Sequence, residues 1–203
     1  MKTNRIGTHV FAGAVCVALL CGPAFAQDLT LAPHIAGPQP FHATLAAIST
    51  NKDDFAFTTT APFNGSSGAI RALAMLTGHS THGAYTGQGV FEAIYTNPVP
   101  ACTQPGGSGG VEAVYKGFLV VMTFSATGDQ LFLALSSGSD CFNPMTGVST
   151  GQATFKVVGG TGRFEGATGT LVNPYRAAFL AASAVHGLFN AVSGTFDGFI
   201  TLK

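Results

Sequence analysis

Residues 159–169 read Gly-Gly-Thr-Gly-Arg-Phe-Glu-Gly-Ala-Thr-Gly. A run this dense in glycine, set between the strand-like stretches 151–158 and 169–172, demands backbone angles that side chains forbid. It predicts a tight turn between two paired extended segments, with Phe164 and Ala167 anchoring it on the core. The structural motif is Gly159, Gly160, Thr161, Gly162, Phe164, Ala167 and Gly169. The phosphate-binding alternative fails on context. A dinucleotide fingerprint opens a helix inside a βαβ unit, and residues 164–172 have no amphipathic helical pattern. A Walker loop needs Gly-Lys-Ser/Thr, which is absent.

The rest of the chain agrees with a turn between strands. Charged residues make up 9% against a globular norm of about 25%, while apolar residues make up 46%. Disordered chains are rich in charge and poor in aromatics, and this chain holds 17 Phe. Lys+Arg 9 against Asp+Glu 9 leaves no basic field for nucleic acid. Abundant Gly and Thr argue against a helical bundle. Strand character recurs at 43–48, 55–60, 69–77, 87–95, 111–124, 130–136, 151–158, 169–172 and 194–202, separated by Gly, Asn and Pro. In the last of these, Phe196, Gly198, Ile200 and Leu202 share one face, with Asp197 on the other. Gly128-Asp129 predicts a hairpin. The expected fold class is all-β: an antiparallel barrel of approximately eight strands, whose closure removes the edges that so few charges would leave unprotected. Residues 97–110 and 137–150 read as long loops. The apolar stretch 176–192 reads as an insert, either a short helix or two strands meeting near His186-Gly187.

The turn motif, the preceding strand 152–158, the hairpin Gly128-Asp129-Gln130-Leu131-Phe132 and the closing strand 194–202 together resemble a known superfamily. GGTGRFEGATG is similar to the GGTG-x-F-x-x-A-x-G turn of the dirigent proteins and allene oxide cyclase-like barrels, most of all their small secreted bacterial members. The resemblance covers roughly residues 69–203. It implies an eight-stranded antiparallel barrel with an apolar interior, and it carries over no catalytic residues.

Residues 1–26 have the form of a secretory signal peptide. Lys2 and Arg5 precede the apolar run 10–20, and Ala24-Phe25-Ala26 offers a cleavage site after Ala26. The apolar run is too short for a membrane helix. Residues 27–42, with three prolines, read as an extended N-terminal arm, and 43–203 as a single barrel domain. The expected location is therefore secreted or periplasmic. Of the four cysteines, Cys102 and Cys141 lie beyond the signal segment and are expected to form a disulfide. An outer-membrane barrel is disfavoured because most of these strand signals are shorter than the 9–11 residues such strands use, and Trp is absent.

No catalytic constellation is legible. His79-Ser-Thr-His82 invites a metal, but residues three apart on a strand face opposite ways and no further ligands are apparent; no metal and no cofactor is assigned. Glu92, Glu112, Asp140, Glu165 and Asp197 are the acidic candidates for acid–base work. A carboxyl projecting into an apolar lumen would have a raised pKa and act as a general acid. Ser80, Ser108 and Ser183 lack a nucleophile setting. The functional expectation is an exported, water-soluble barrel that binds a small apolar molecule or serves as an extracellular interaction module. Its enzymatic alternative is an isomerase or cyclase acting on an apolar substrate inside the barrel.

Overall fold

The computed structural model describes residues 36–51, 69–94, 100–183 and 187–203. The expected signal segment, the strand signal at 55–60, and His34 and His186 lie outside these residues. Nine strands follow in order: β1 Gly37–Asn51, β2 Ala69–Ser80, β3 Gly83–Ile94, β4 Ala101–Thr103, β5 Gly109–Phe124, β6 Gln130–Asn143, β7 Val148–Gly160, β8 Thr168–Ser183 and β9 Gly187–Leu202. The one helical piece among the described residues is a 3-10 turn at Gly162–Phe164. Every pairing is antiparallel. The order β3-β2-β1-β9-β8-β7-β6-β5 closes on itself because β3 also pairs with β5. The result is a closed barrel of eight strands. The short β4 stands outside the ring, paired with the start of β5.

Period-2 burial builds the core. On β1, Phe41, Ala43 and Leu45 are buried while His42, Thr44 and Ala46 are exposed. On β9, Phe196, Ile200 and Leu202 face inward, while Phe199 is 62% exposed on the other face with Asp197. Side chains of this kind from all eight barrel strands form one apolar core.

One end of the barrel is plugged by the glycine-rich turn. Thr161 N–H donates to the Gln130 carbonyl (2.8 Å), and Gln130 N–H donates to Thr161 Oγ1 (2.9 Å), so the turn is tied to the start of β6. Gly162 adopts φ +56°, and a Cβ there would lie 1.8 Å from Asp129 Oδ1, which reserves the position for glycine. Phe164 is fully buried against Phe124, and Ala167 is buried beside the turn. The Arg163 guanidinium packs over both phenyl rings at 4.9 and 4.8 Å and donates to the His82 carbonyl.

Several expectations change. Most of the strand signals mark only part of a strand, the strands mostly running 12–16 residues. Residues 37–42 are not arm but the opening of β1. There β1 pairs with β9 alone along the ladder, so Pro38 and Pro40 break no hydrogen bond on a second side. The loop at 137–150 shrinks to the turn 144–147, because Ser137–Asn143 extends β6 and Val148–Thr150 opens β7. In the same way 101–103 and 109–110 are strand. Residues 176–183 and 187–192 lengthen β8 and β9, so the apolar stretch forms two paired strands and not a separate plug. The expected hairpin is present, with Gly128 at φ +74° and its N–H donating to the Phe124 carbonyl.

Among the described residues no helix is long and apolar enough to cross a membrane. Strand length does not argue against a membrane barrel, since these strands exceed the length used in that comparison. The lumen is apolar, and the exterior carries Lys116, Lys156 and Arg176 together with exposed apolar side chains such as Met75, Val158 and Phe199.

Candidate functional site

At the end opposite the glycine-rich turn the core gives way to a cavity of about 160 Å³. Its floor is aromatic. Phe118 and Phe196 line it, and behind them Phe155 packs edge-on against Phe118 with centroids 5.1 Å apart and tilts against Phe196 at 5.8 Å. One wall is aliphatic and aromatic, with Leu45, Ala74, Leu76 and Phe91 from β1, β2 and β3. The opposite wall carries a polar cluster on β5–β8, in which Asp140 is hydrogen-bonded to Tyr175 and Ser149, and Tyr175 to Tyr115.

Cross-strand register assembles this cluster. Asp140 on β6 pairs with Ala113 of β5 on one side and Gly151 of β7 on the other, and Gly151 in turn pairs with Tyr175 of β8. The Tyr175 phenol lies across Gly151: a Cβ on that glycine would meet the hydroxyl at 2.3 Å and the Ser139 carbonyl at 2.7 Å. Gly138 leaves room for Tyr115 in the same way, at 3.0 Å from its ring. Glycine on the neighbouring strand is therefore what lets each phenol lean across the wall. The Tyr175 hydroxyl donates to Asp140 Oδ1 at 2.8 Å and also contacts the Tyr115 hydroxyl, while Ser149 Oγ donates to Asp140 Oδ2 at 2.9 Å.

Burial sets the protonation of this group. It pushes the Asp140 carboxyl above its usual range, against the opposing effect of the hydrogen bonds from Tyr175 and Ser149. Burial, with the Tyr115 and Asp140 neighbours, holds the Tyr175 phenol well above its ordinary value. At neutral pH the cavity thus presents protonated phenol and a carboxyl poised above its solution value. Deeper polar atoms are satisfied: Asn173 is buried and its side-chain amide donates to the Thr195 carbonyl at 2.6 Å.

The residues singled out from sequence fall in different places. Of the five acidic candidates, Asp140 alone lines the cavity. Glu92 is fully buried but sits on the opposite side of β3 from the lumen-facing Phe91 and Ala93, and it pairs with Arg71 at 2.9 Å. Glu112 opens β5 next to the buried Ala113, and Glu165 is exposed in the glycine-rich turn. Asp197 is on the exterior between His42 and Thr195; the Thr195 hydroxyl and His42 hold its carboxyl below the usual range. His79 is exposed. His82 is wedged between Phe41 and Phe164 with ring centroids 5.7 and 5.6 Å away, its Nε2 buried without a hydrogen-bond partner. Among the described residues no group of three or more His, Cys, Asp or Glu side chains is placed to hold a metal ion. Ser80 donates to the Gly83 carbonyl and Ser108 to Gln104 Oε1. The Cys102 and Cys141 sulfurs are at disulfide distance, 2.07 Å, and link β4 to β6 across the start of β5.

Sequence reasoning passed over Tyr115, Tyr175 and Ser149. Strand parity carried a signal for Tyr115, which lies two residues from Ala113 on the apolar side of β5. Tyr175 falls between the strand signal at 169–172 and the insert at 176–192, and Ser149 falls in a segment read as loop, so neither had a parity.

A closed antiparallel eight-stranded barrel with an apolar lumen and one polar wall is the class that fold and site define. No family model matches this sequence, and no curated protein matches it. Among solved structures the chain is similar to a pterocarpan synthase dirigent protein, a distant neighbour at 14% identity. The match covers 83% of this chain and 94% of that one, with a TM-score of 0.38.

Proposed function

We propose that this protein is exported and binds one small, largely apolar molecule in the lumen of its barrel, with a polar group of that molecule at Asp140. The observation that carries this reading is a cavity that is aromatic and aliphatic over most of its wall, with the Asp140–Tyr175–Ser149 hydrogen-bonding cluster on one side and few other polar side chains, Ser49, Asn173 and Asn190. A cavity of about 160 Å³ suits a body of roughly one aromatic ring. The cysteine pair and the form of residues 1–26 support export. The apolar lumen, with Lys116, Lys156 and Arg176 exposed outside it, supports a barrel that faces water.

Calorimetric titration with toluene and benzyl alcohol tests the reading. Both should bind the wild-type chain, and Ala47→Phe, which places a ring where a small side chain lines the cavity, should abolish binding. Binding that survives this substitution would locate the ligand elsewhere.

A second reading, acid–base isomerisation or cyclisation of an apolar substrate, is favoured by one feature. The Asp140 carboxyl, raised by burial and hydrogen-bonded to Tyr175, is suited to deliver a proton inside a cavity. That reading requires Asp140→Asn to lose turnover while still binding.

A further inference from the structure

Resting on the lumen-binding reading, we infer that the cavity selects small organic cations: an ammonium group held at Asp140 and a ring-sized apolar body held among aromatic rings. Among the described residues that line the cavity, Asp140 is the single acidic side chain and none is Lys, Arg or His. Its two oxygens accept from neutral hydroxyls only, Tyr175 at 2.8 Å and Ser149 at 2.9 Å. A carboxylate taken from water without a counter-ion is costly. Here the described residues that line the cavity supply hydrogen bonds but no compensating charge, and each carboxylate oxygen has lone-pair capacity for a further donor.

The surrounding surface completes the preference. Phe91, Tyr115, Phe118, Phe142, Tyr175 and Phe196 all line the same cavity. Ring faces attract a cation electrostatically, most strongly when water is excluded. A neutral alcohol would take the same lone pair and leave the charge uncompensated, and an anion would meet the carboxylate directly. The occupant that satisfies both the carboxylate and the rings is therefore a protonated amine. The titratable groups facing Asp140 are the phenols of Tyr115 on β5 and Tyr175 on β8. The charged neighbours Glu112 and Arg176 alternate with the lumen-facing Ala113 and Tyr175 and stand on the outward side of their strands.

The test is a ligand-charge series on the full chain at fixed ionic strength: benzylammonium, benzyl alcohol, toluene and benzoate, measured by calorimetry at pH 7.5. Benzylammonium should bind on the order of tenfold more tightly than benzyl alcohol, as a charge-assisted hydrogen bond implies, and benzoate should be rejected. Asp140→Asn should erase the benzylammonium advantage while toluene affinity stays within about threefold. Benzylammonium binding should weaken as pH falls through the titration of Asp140, and toluene binding should not. Benzyl alcohol or toluene binding as tightly as benzylammonium would overturn the cation preference and leave the lumen-binding reading standing. Failure of all four to bind would overturn both. The wild-type series decides the matter by itself should the variant not fold.

Discussion

Asp140 sits where a folded chain gains least from an acid. Because burial raises its folded pKa, the native state keeps the proton more readily than the unfolded chain does. Native protein therefore holds more protons in the window from the ordinary carboxylate range up to the raised folded value, and stability falls as pH rises through it. Asp140→Asn should be more stable than wild type at pH 7, by about 1 kcal/mol, with the gap closing below the carboxylate range; thermal melts at the two pH values measure it. His82 has the opposite sense. Desolvation, then the nearby Arg163 guanidinium, lower its pKa, so the stability it contributes is present above its unfolded value near 6.5 and is lost as pH falls below that. In His82→Phe the decline of the urea midpoint between pH 6.5 and 5 should flatten. Neither environment was legible beforehand. Asp140 was recognisable as an acid but not as lumenal, and His82 reads as a turn histidine because the rings that clasp it, Phe41 and Phe164, are far away in sequence.

The strands show why the sequence was partly readable. Alternation was clearest in 151–158 of β7 and 195–202 of β9, where side chains alternate between core and exterior. It vanished along Ser137–Asp140, where small and polar residues stay in the ladder because β7 pairs all four and β5 also pairs Ser139 and Asp140. Those same stretches build the polar wall, so the part of the chain that periodicity missed is the part that carries the site. The role of Gly151 was invisible for a related reason, since what it accommodates comes from β8. Gly151→Ala would push a methyl into the Ser139 carbonyl and the Tyr175 hydroxyl. We expect a loss of roughly 1–3 kcal/mol in chemical denaturation, together with weaker benzyl alcohol binding as the phenol is displaced from Asp140.

Taken whole, the molecule is a ring of paired strands with one plugged end, one hollow end and a covalent link near the hollow end. The sulfur pair is separated by 39 positions in the chain, so removing it with Cys102→Ser should cost about 4 kcal/mol by loop-closure entropy, read as a lower urea midpoint that matches wild type in reductant. The pairing of β1 with β9 has a further consequence. A ribosome or export pore delivers the chain from one end, and the first strand must wait for the final one before the ring can shut. Until then its inner faces have no partner, and pairings this distant in sequence make assembly slow. Closure of the ring therefore waits on β9, and the apolar inner faces of the earlier strands stay open to water until that strand is in place.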